Sequence, residues 1–174
     1  MSEKINIMKK VVFTTFLLVV CALTVYPQSY QPGSWQGEFS FSGGPGINSS
    51  NYSDVYLTIA PGYAFTEKLA LRLKLDMVVG LYHTGKNYRT QTPLGLNLAY
   101  RANPNLELNA SVGSTIYNQD KWNFAYYDLG LRWFALPQYP YFYLGIGPRF
   151  QQMYNDYYKN RLTLNASFGV ILHR

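Results

Sequence analysis

The amino-acid sequence predicts an all-β protein, an eight-stranded antiparallel up-and-down transmembrane β-barrel. Three observations predict this fold. From residue 34 onward, the 174-residue chain divides into eight segments of about ten residues in which apolar and polar positions alternate. The connections between these segments are alternately long and short. A lysine-led apolar run of the kind that directs export precedes the first segment. An even number of alternating strands with unequal connections is typical of barrels that cross bacterial outer membranes.

Residues 1–29 are predicted to be a signal peptide that is cleaved. Two lysines precede the apolar run Val11–Val25, and Met8, directly before them, is an alternative start. The run is too short for a membrane-spanning helix, which needs about 20 residues. Cys21, the only cysteine, lies in this run and lacks the preceding small residue that a lipidated cysteine requires. We therefore expect residues 30–174 to form one barrel domain without thiol chemistry.

The first four strands are predicted at residues 34–42, 53–65, 69–82 and 94–101. In each strand one phase is aliphatic or aromatic and the other is polar, charged or small, so the two phases face opposite sides of a sheet. The third strand shows this most clearly, because seven apolar side chains alternate from Leu69 to Leu81. The outward phase of these strands consists of Trp35, Gly37, Phe39, Phe41, Val55, Leu57, Ile59, Pro61, Tyr63, Leu69, Leu71, Leu73, Leu75, Met77, Val79, Leu81, Leu94, Leu96, Leu98 and Tyr100.

The last four strands are predicted at residues 106–113, 124–135, 141–152 and 161–172. Their outward phase consists of Leu106, Leu108, Ala110, Val112, Tyr127, Leu129, Leu131, Trp133, Phe142, Leu144, Ile146, Phe150, Leu162, Leu164, Ala166, Phe168, Val170 and Leu172. Two prolines, Pro61 and Pro148, fall inside predicted strands. Because proline has no N–H group to donate to a neighbouring strand, we expect a bulge or a strand end at each.

The connections orient the barrel. Three are short, at residues 66–68, 102–105 and 136–140, whereas the connections at residues 43–52, 83–91, 118–123 and 154–160 are longer. Outer-membrane barrels have short periplasmic turns and longer external loops. A chain that enters its first strand from the periplasm places every long connection outside and returns both termini to the periplasm.

Aromatic side chains, including 17 tyrosines, concentrate near the strand ends. Membrane interfaces favour such rings. The predicted external girdle consists of Tyr82, Tyr117, Trp122, Phe124, Tyr154, Tyr157 and Tyr158. The predicted periplasmic girdle consists of Tyr63, Phe65, Tyr100, Trp133, Tyr139 and Tyr141.

Residues 34–174 resemble the small outer-membrane barrels of the OmpA-like and OmpX/Ail-like type. The resemblance rests on the strand periodicity, the loop asymmetry and the export signal. It implies location in the bacterial cell outer membrane after signal-peptide export, contact with outer-membrane lipid and lipopolysaccharide, insertion by the barrel-assembly machinery, and a monomeric state. Many members end on an aromatic residue, whereas this chain ends on Leu172-His173-Arg174.

The inward phase carries both acidic and basic side chains. Buried charges are costly unless they are paired, so we expect these residues and Arg101 to pair inside the lumen. The predicted lumen charge network consists of Glu38, Arg72, Lys74, Asp76, Glu107, Asp128, Arg132 and Arg149. Since an eight-stranded barrel is just wide enough for side chains to fill it, the lumen is expected to be closed to solutes. The short turn at 136–140 predicts a register that places Asp128 opposite Arg149.

No catalytic, cofactor or metal site is predicted. His83 and His173 are the only histidines, and two distant histidines give no metal-ligand spacing. His83 is expected at the outer rim, where a lipid A-modifying enzyme would need a histidine together with a serine and a carboxylate. The nearest candidates, Ser114, Asp120 and Asp54, are expected on other loops. His83 is therefore interpreted as a solvated loop residue.

Two further features exclude other functions. The glycine-rich segment 43–46 leads into a strand and lacks the lysine and the helix of a phosphate-binding loop. The formal net charge of +6 is dispersed along the chain without a basic run, so no nucleic-acid partner is predicted.

The sequence thus predicts a non-enzymatic integral outer-membrane barrel with a structural or surface-contact role through its external loops. The alternatives are a lipid A-modifying enzyme at the outer rim, a narrow porin-like channel and a secreted soluble barrel of the lipocalin kind. The soluble alternative is disfavoured, because it would place the large aliphatic side chains inside and the Gly, Ala and Ser positions on the surface.

Overall fold

The computed structural model describes residues 30–83, 87–116, 122–134 and 141–173. The predicted signal peptide at 1–29, the turn at 136–140 and the predicted positions of Tyr117, Asp120 and Tyr139 lie outside these residues. No helix in the described part of the chain is long and apolar enough to cross a membrane.

The described residues form a closed, eight-stranded antiparallel barrel, as the sequence predicts. The strands are β1 (Trp35–Pro45), β2 (Tyr52–Ala64), β3 (Leu69–Tyr82), β4 (Asn87–Gln91), β5 (Pro93–Asn103), β6 (Leu106–Thr115), β7 (Phe124–Trp133), β8 (Phe142–Met153) and β9 (Arg161–His173). Strands β4 and β5 lie end to end along β3 and together occupy one of the eight strand positions of the barrel. The strand at each position pairs with its neighbours in sequence, and the pairing of β1 with β9 closes the barrel.

Strand β4 corrects one expectation, since residues 83–91 are predicted to be an external loop. We name the two ends of the barrel external and periplasmic after the orientation that the loop lengths predict. Asn87–Gln91 pairs with the external end of β3, and β5 continues along β3 in the same register after a break at Thr92. Pro93 has no N–H group to donate across this break. The residues of β4 are mostly polar and exposed, so the segment lacks the apolar alternation by which the sequence reveals the other strands.

The two strand phases face as predicted. Outward leucines are exposed, for example Leu73 at 48% and Leu129 at 63%, whereas the inward side chains of Arg72, Asp76 and Arg149 are fully buried. The soluble alternative is contradicted, because it requires the leucines to face the lumen. The pairing of β2 with β3 is interrupted for two residues at Pro61, and the pairing of β7 with β8 is interrupted for two residues at Pro148. Both strands nevertheless continue past the proline.

Part of the predicted external girdle is wrong. Trp122 and Phe124 do not face lipid but are fully buried inside the external end of the lumen, packed with Tyr52, Tyr126 and Met153. The prediction grouped aromatic residues by their height along the strands, whereas Phe124 belongs to the inward phase of β7, which it shares with Tyr126 and Asp128. The exposed aromatics at the periplasmic end include Trp35, Phe65, Tyr100 and Trp133.

Inward glycines make room for these large lumen side chains. A Cβ atom on Gly80 would lie 2.6 Å from the Trp122 ring, and one on Gly113 would lie 2.5 Å from the Tyr126 ring. In a barrel this narrow, a large ring on one strand therefore requires a glycine on the strand against which it packs.

Candidate functional site: a charged lumen closed at both ends

The periplasmic half of the lumen holds two acidic and two basic side chains in one network. Arg132, on β7, bridges two carboxylates: its Nη2 lies 2.7 Å from Glu38 Oε1 and its Nη1 lies 2.8 Å from Glu107 Oε1. Arg72, on β3, also contacts both, with Nη1 at 3.2 Å from Glu107 and 3.5 Å from Glu38. Four strands thus contribute to one charge-balanced cluster, in which each charge is compensated.

Aromatic rings close the lumen on the periplasmic side of this network. Tyr30, before β1, donates its hydroxyl to Glu107 and accepts from Arg72 Nη2 at 3.0 Å. Burial and the nearby Glu107 raise the pKa of the Tyr30 hydroxyl, so the phenol keeps the proton that it donates. Tyr143 donates to Glu38 Oε1 at 2.7 Å. The Arg101 guanidinium lies over the Phe134 ring, 3.8 Å from its centroid.

A second network occupies the middle of the lumen. Lys74 Nζ lies 2.7 Å from Asp128 Oδ2 and 3.4 Å from Asp76 Oδ2. Arg149 Nη1 lies 3.1 Å from Asp76 Oδ2, and its Nε lies 3.5 Å from Asp128 Oδ1. The Arg149 guanidinium also lies 4.1 Å from the centroid of the Tyr126 ring. The eight predicted lumen residues are therefore all inside, divided into two clusters of four.

The register of β7 and β8 places Asp128 opposite Arg149, as the turn length predicts. The closest cation to Asp128 is nevertheless Lys74, on the far side of the lumen. The length of a turn fixes only which residues of two neighbouring strands are paired, so a contact across the barrel cannot be predicted from it.

We expect Asp128 and Arg149 to be energetically coupled. Asp128→Asn and Arg149→Gln should each lower the free energy of unfolding, and the double variant should lose less than their sum by about 0.5–3 kcal/mol. Urea unfolding of the protein in lipid vesicles measures all four corners of this cycle. Combining Asp128→Asn with Lys68→Gln, on the exposed periplasmic turn, is the additive control. Strict additivity in the first cycle would contradict the coupling.

Two charged residues nearest the external mouth, Asp54 and Arg161, are not among the predicted lumen residues. Asp54, expected on a loop, is fully buried in the inward phase of β2. It accepts hydrogen bonds from Gln151 Nε2 at 3.0 Å and from Thr163 Oγ1 at 3.3 Å. Arg161 begins β9, and its guanidinium lies 3.9 Å from the Tyr52 ring centroid. The signal was present, since the predicted strand 53–65 includes Asp54 in phase with Tyr56 and Thr58, but Asp54 was interpreted as a loop residue at the rim.

These side chains leave little space inside the barrel. A lumen cavity of about 50 Å³ is lined by small polar groups, by Lys74, Asp128 and Arg132, and by the rings of Tyr56 and Tyr143. That volume accommodates a few water molecules and no solute.

The outer rim holds a contact that the sequence did not reveal. Ser53 Oγ lies 2.9 Å from the ring atom His83 Nε2 across the β2–β3 hairpin, and the backbone N–H of His83 donates to the Asn51 carbonyl oxygen at 2.9 Å. Two of the residues considered as catalytic partners of His83 are not part of this contact. Asp54 points into the lumen, and Ser114 hydrogen-bonds to the Tyr154 hydroxyl at 2.7 Å. In the described ranges no carboxylate hydrogen-bonds to His83, and no group of three potential ligands could hold a metal ion.

The structure is similar to a solved outer-membrane barrel. The N-terminal β-barrel domain of Pseudomonas aeruginosa OprF superposes with a TM-score of 0.50 at 16% sequence identity, covering 81% of this chain and 98% of that domain. The chain has the fold of a small outer-membrane β-barrel. A designed transmembrane β-barrel gives a TM-score of 0.48 at 17% identity, covering 84% of this chain and all of the design. P. aeruginosa OprG gives 0.46 at 11% identity, covering 86% and 100%. No protein-family model and no curated protein matches the chain by sequence.

Proposed function

We propose that this protein is an exported, monomeric, non-enzymatic barrel of the bacterial outer membrane, with a structural role and surface contacts made by its external loops. The observation that carries the proposal is the filled lumen. Two charge-balanced networks and an aromatic cluster at each end occupy the space through which a solute would pass. The exposed leucine stripes support contact with membrane lipid. In an outer membrane, that lipid includes lipopolysaccharide.

The surface role rests on the external end of the barrel. Large tyrosine side chains are exposed there, among them Tyr88, Tyr154 and Tyr157. Exposed aromatic rings of this kind are typical of recognition surfaces. Deletion of the gene should reduce surface adhesion without changing lipid A, and re-expression of a barrel with residues 155–159 replaced by Gly and Ser should not restore adhesion.

We expect no stable conductance from the pure protein. The ion networks would have to break before an ion could pass, and each broken pair would leave uncompensated charges in the lumen, which is strongly unfavourable. Planar-bilayer recording tests this, with a known porin reconstituted under the same conditions as the positive control. Stable, sizeable single-channel steps from the wild-type protein would contradict the filled-lumen account and favour the porin-like channel.

The contact between Ser53 and His83 favours a second candidate, a hydrolase that removes an acyl chain from lipid A. Ser53 belongs to the outward phase of β2 and His83 directly follows β3, both at the external end of the barrel, so a serine activated by histidine would lie near the outer leaflet. Mass analysis of lipid A after incubation with purified protein tests it. Loss of an acyl chain that Ser53→Ala abolishes and Ser114→Ala preserves would establish the hydrolase, and an unchanged mass would exclude it.

A further inference from the structure

The external mouth contains a second, larger cavity outside the charged lumen. It has a volume of about 410 Å³ and lies between the loop after β1 and the loop after β8. Its lining includes Asn48, Tyr82, Tyr157, Tyr158, Lys159 and Arg161. We call it the mouth pocket. No acidic residue lines it, and two of its residues are cationic.

The walls of the mouth pocket are tied together. Asn48 joins the two loops, because its Nδ2 donates to the Asn160 carbonyl oxygen at 3.0 Å and its Oδ1 accepts from the Leu162 N–H at 3.0 Å. The Ile47 N–H also donates to the Leu162 carbonyl oxygen at 2.7 Å. Asn160 in turn accepts from the Met153 N–H at 2.9 Å. The pocket is therefore formed before any ligand arrives, which reduces the entropy that binding costs.

Arg161 gives the mouth pocket its charge preference. The residue is only 7% exposed, and its Nη1 atom has no hydrogen-bond partner in the described part of the chain. No described carboxylate lies within salt-bridge distance of the Arg161 guanidinium, whereas Arg72, Arg132 and Arg149 each pair with carboxylates. A buried guanidinium without an anionic partner stabilises a carboxylate or phosphate group brought next to it.

The rest of the pocket suits a sugar ring. Tyr157 is 77% exposed and packs edge-on against Tyr158 at 4.9 Å between ring centroids. Aromatic faces pack against the C–H faces of sugar rings, while amide groups such as those of Asn48 and Asn160 can hydrogen-bond to hydroxyl groups. Lys159 adds a second positive charge at the exposed edge of the pocket.

We propose that the mouth pocket binds an anionic carbohydrate, with the Arg161 guanidinium on its carboxylate or phosphate group and Tyr157 against a sugar ring. This inference rests on the proposed surface role and names the ligand class of that role. Such a sugar can come from the phosphorylated core of lipopolysaccharide in the same membrane or from an acidic glycan outside the cell.

Calorimetric titration of the purified wild-type protein in detergent micelles tests the proposal. The probes are trigalacturonate, which carries carboxylates, a deacylated phosphorylated lipopolysaccharide core, and neutral maltotriose. At least one anionic probe should bind about tenfold more tightly than maltotriose, and added salt should weaken it. A preference for the core identifies the membrane's own lipopolysaccharide as the source, and a preference for trigalacturonate identifies an external glycan. Equal or absent binding of all three probes would overturn the proposal.

Variants locate the site. Arg161→Gln should weaken the anionic probe about tenfold. Because Arg161 is buried, its replacement can also disturb folding, so Tyr157→Ala, at an exposed position, provides the second variant and should weaken binding several-fold. Tyr100→Ala, at an exposed tyrosine on β5 near the opposite end of the barrel, should leave binding unchanged. If Tyr100→Ala weakens binding as much as Tyr157→Ala does, the mouth pocket is not the site. The adhesion and conductance experiments do not depend on these titrations, so failure here leaves the proposed function to be judged separately.

Discussion

Replacing Glu107 with Gln is expected to lower the free energy of unfolding by about 3–5 kcal/mol. The Glu107 carboxylate is fully buried and accepts from Arg72, Arg132 and Tyr30. The substitution preserves shape and removes one negative charge, so two buried guanidinium groups would share the single carboxylate of Glu38. Urea unfolding of the barrel in lipid vesicles measures the change.

Glu67→Gln is the matched control for this prediction. Glu67 lies exposed on the periplasmic turn between β2 and β3, and exposed surface charges of this kind contribute about 0–1 kcal/mol. Equal, small effects of Glu107→Gln and Glu67→Gln would show that the lumen is wet enough to screen its charges, and the filled-lumen account would then be wrong.

Replacing Leu73 with Arg is expected to cost about 2–4 kcal/mol, because the side chain faces lipid near the middle of β3. Leu172→Arg is the control: Leu172 is equally outward but lies at the periplasmic end of β9, where the same charge costs about 0–1 kcal/mol. Folding yield and unfolding in lipid vesicles measure both variants. A cost at Leu172 as large as that at Leu73 would show that depth in a bilayer does not govern these positions.

The sequence was sufficient for the strands and their facing because both depend on a period of two. Leu69–Leu81 alternates without a break, and a shift of one residue would bury every leucine and expose Arg72 and Lys74. The charged clusters could be predicted as a set for the same reason. Their internal pairing could not, since Arg132 meets Glu38 across the lumen and no local pattern links residues 94 positions apart.

The errors have a common physical origin at the strand ends. Asp54 and Phe124 lie at the predicted starts of their strands and Trp122 lies just before one, where few apolar outward neighbours mark the phase. Strand β4 has no apolar phase at all. The contact between Ser53 and His83 depends on the register of β2 and β3 at their polar ends, where no apolar alternation allows the register to be predicted. Beyond the apolar stripe, hydrophobic burial no longer determines which way a side chain faces, so contacts made there are visible only in three dimensions.

We expect the leucine stripes to contact lipid while side chains close the lumen. Nuclear Overhauser effects between acyl-chain protons and labelled methyl groups of the wild-type protein in lipid nanodiscs distinguish the two faces of the sheet. Strong effects are expected at Leu73, Leu96 and Leu129, and none at Val78 and Ile171, which are buried inside the barrel. Acyl-chain contacts at Val78 and Ile171, with none at the three leucines, would contradict this expectation.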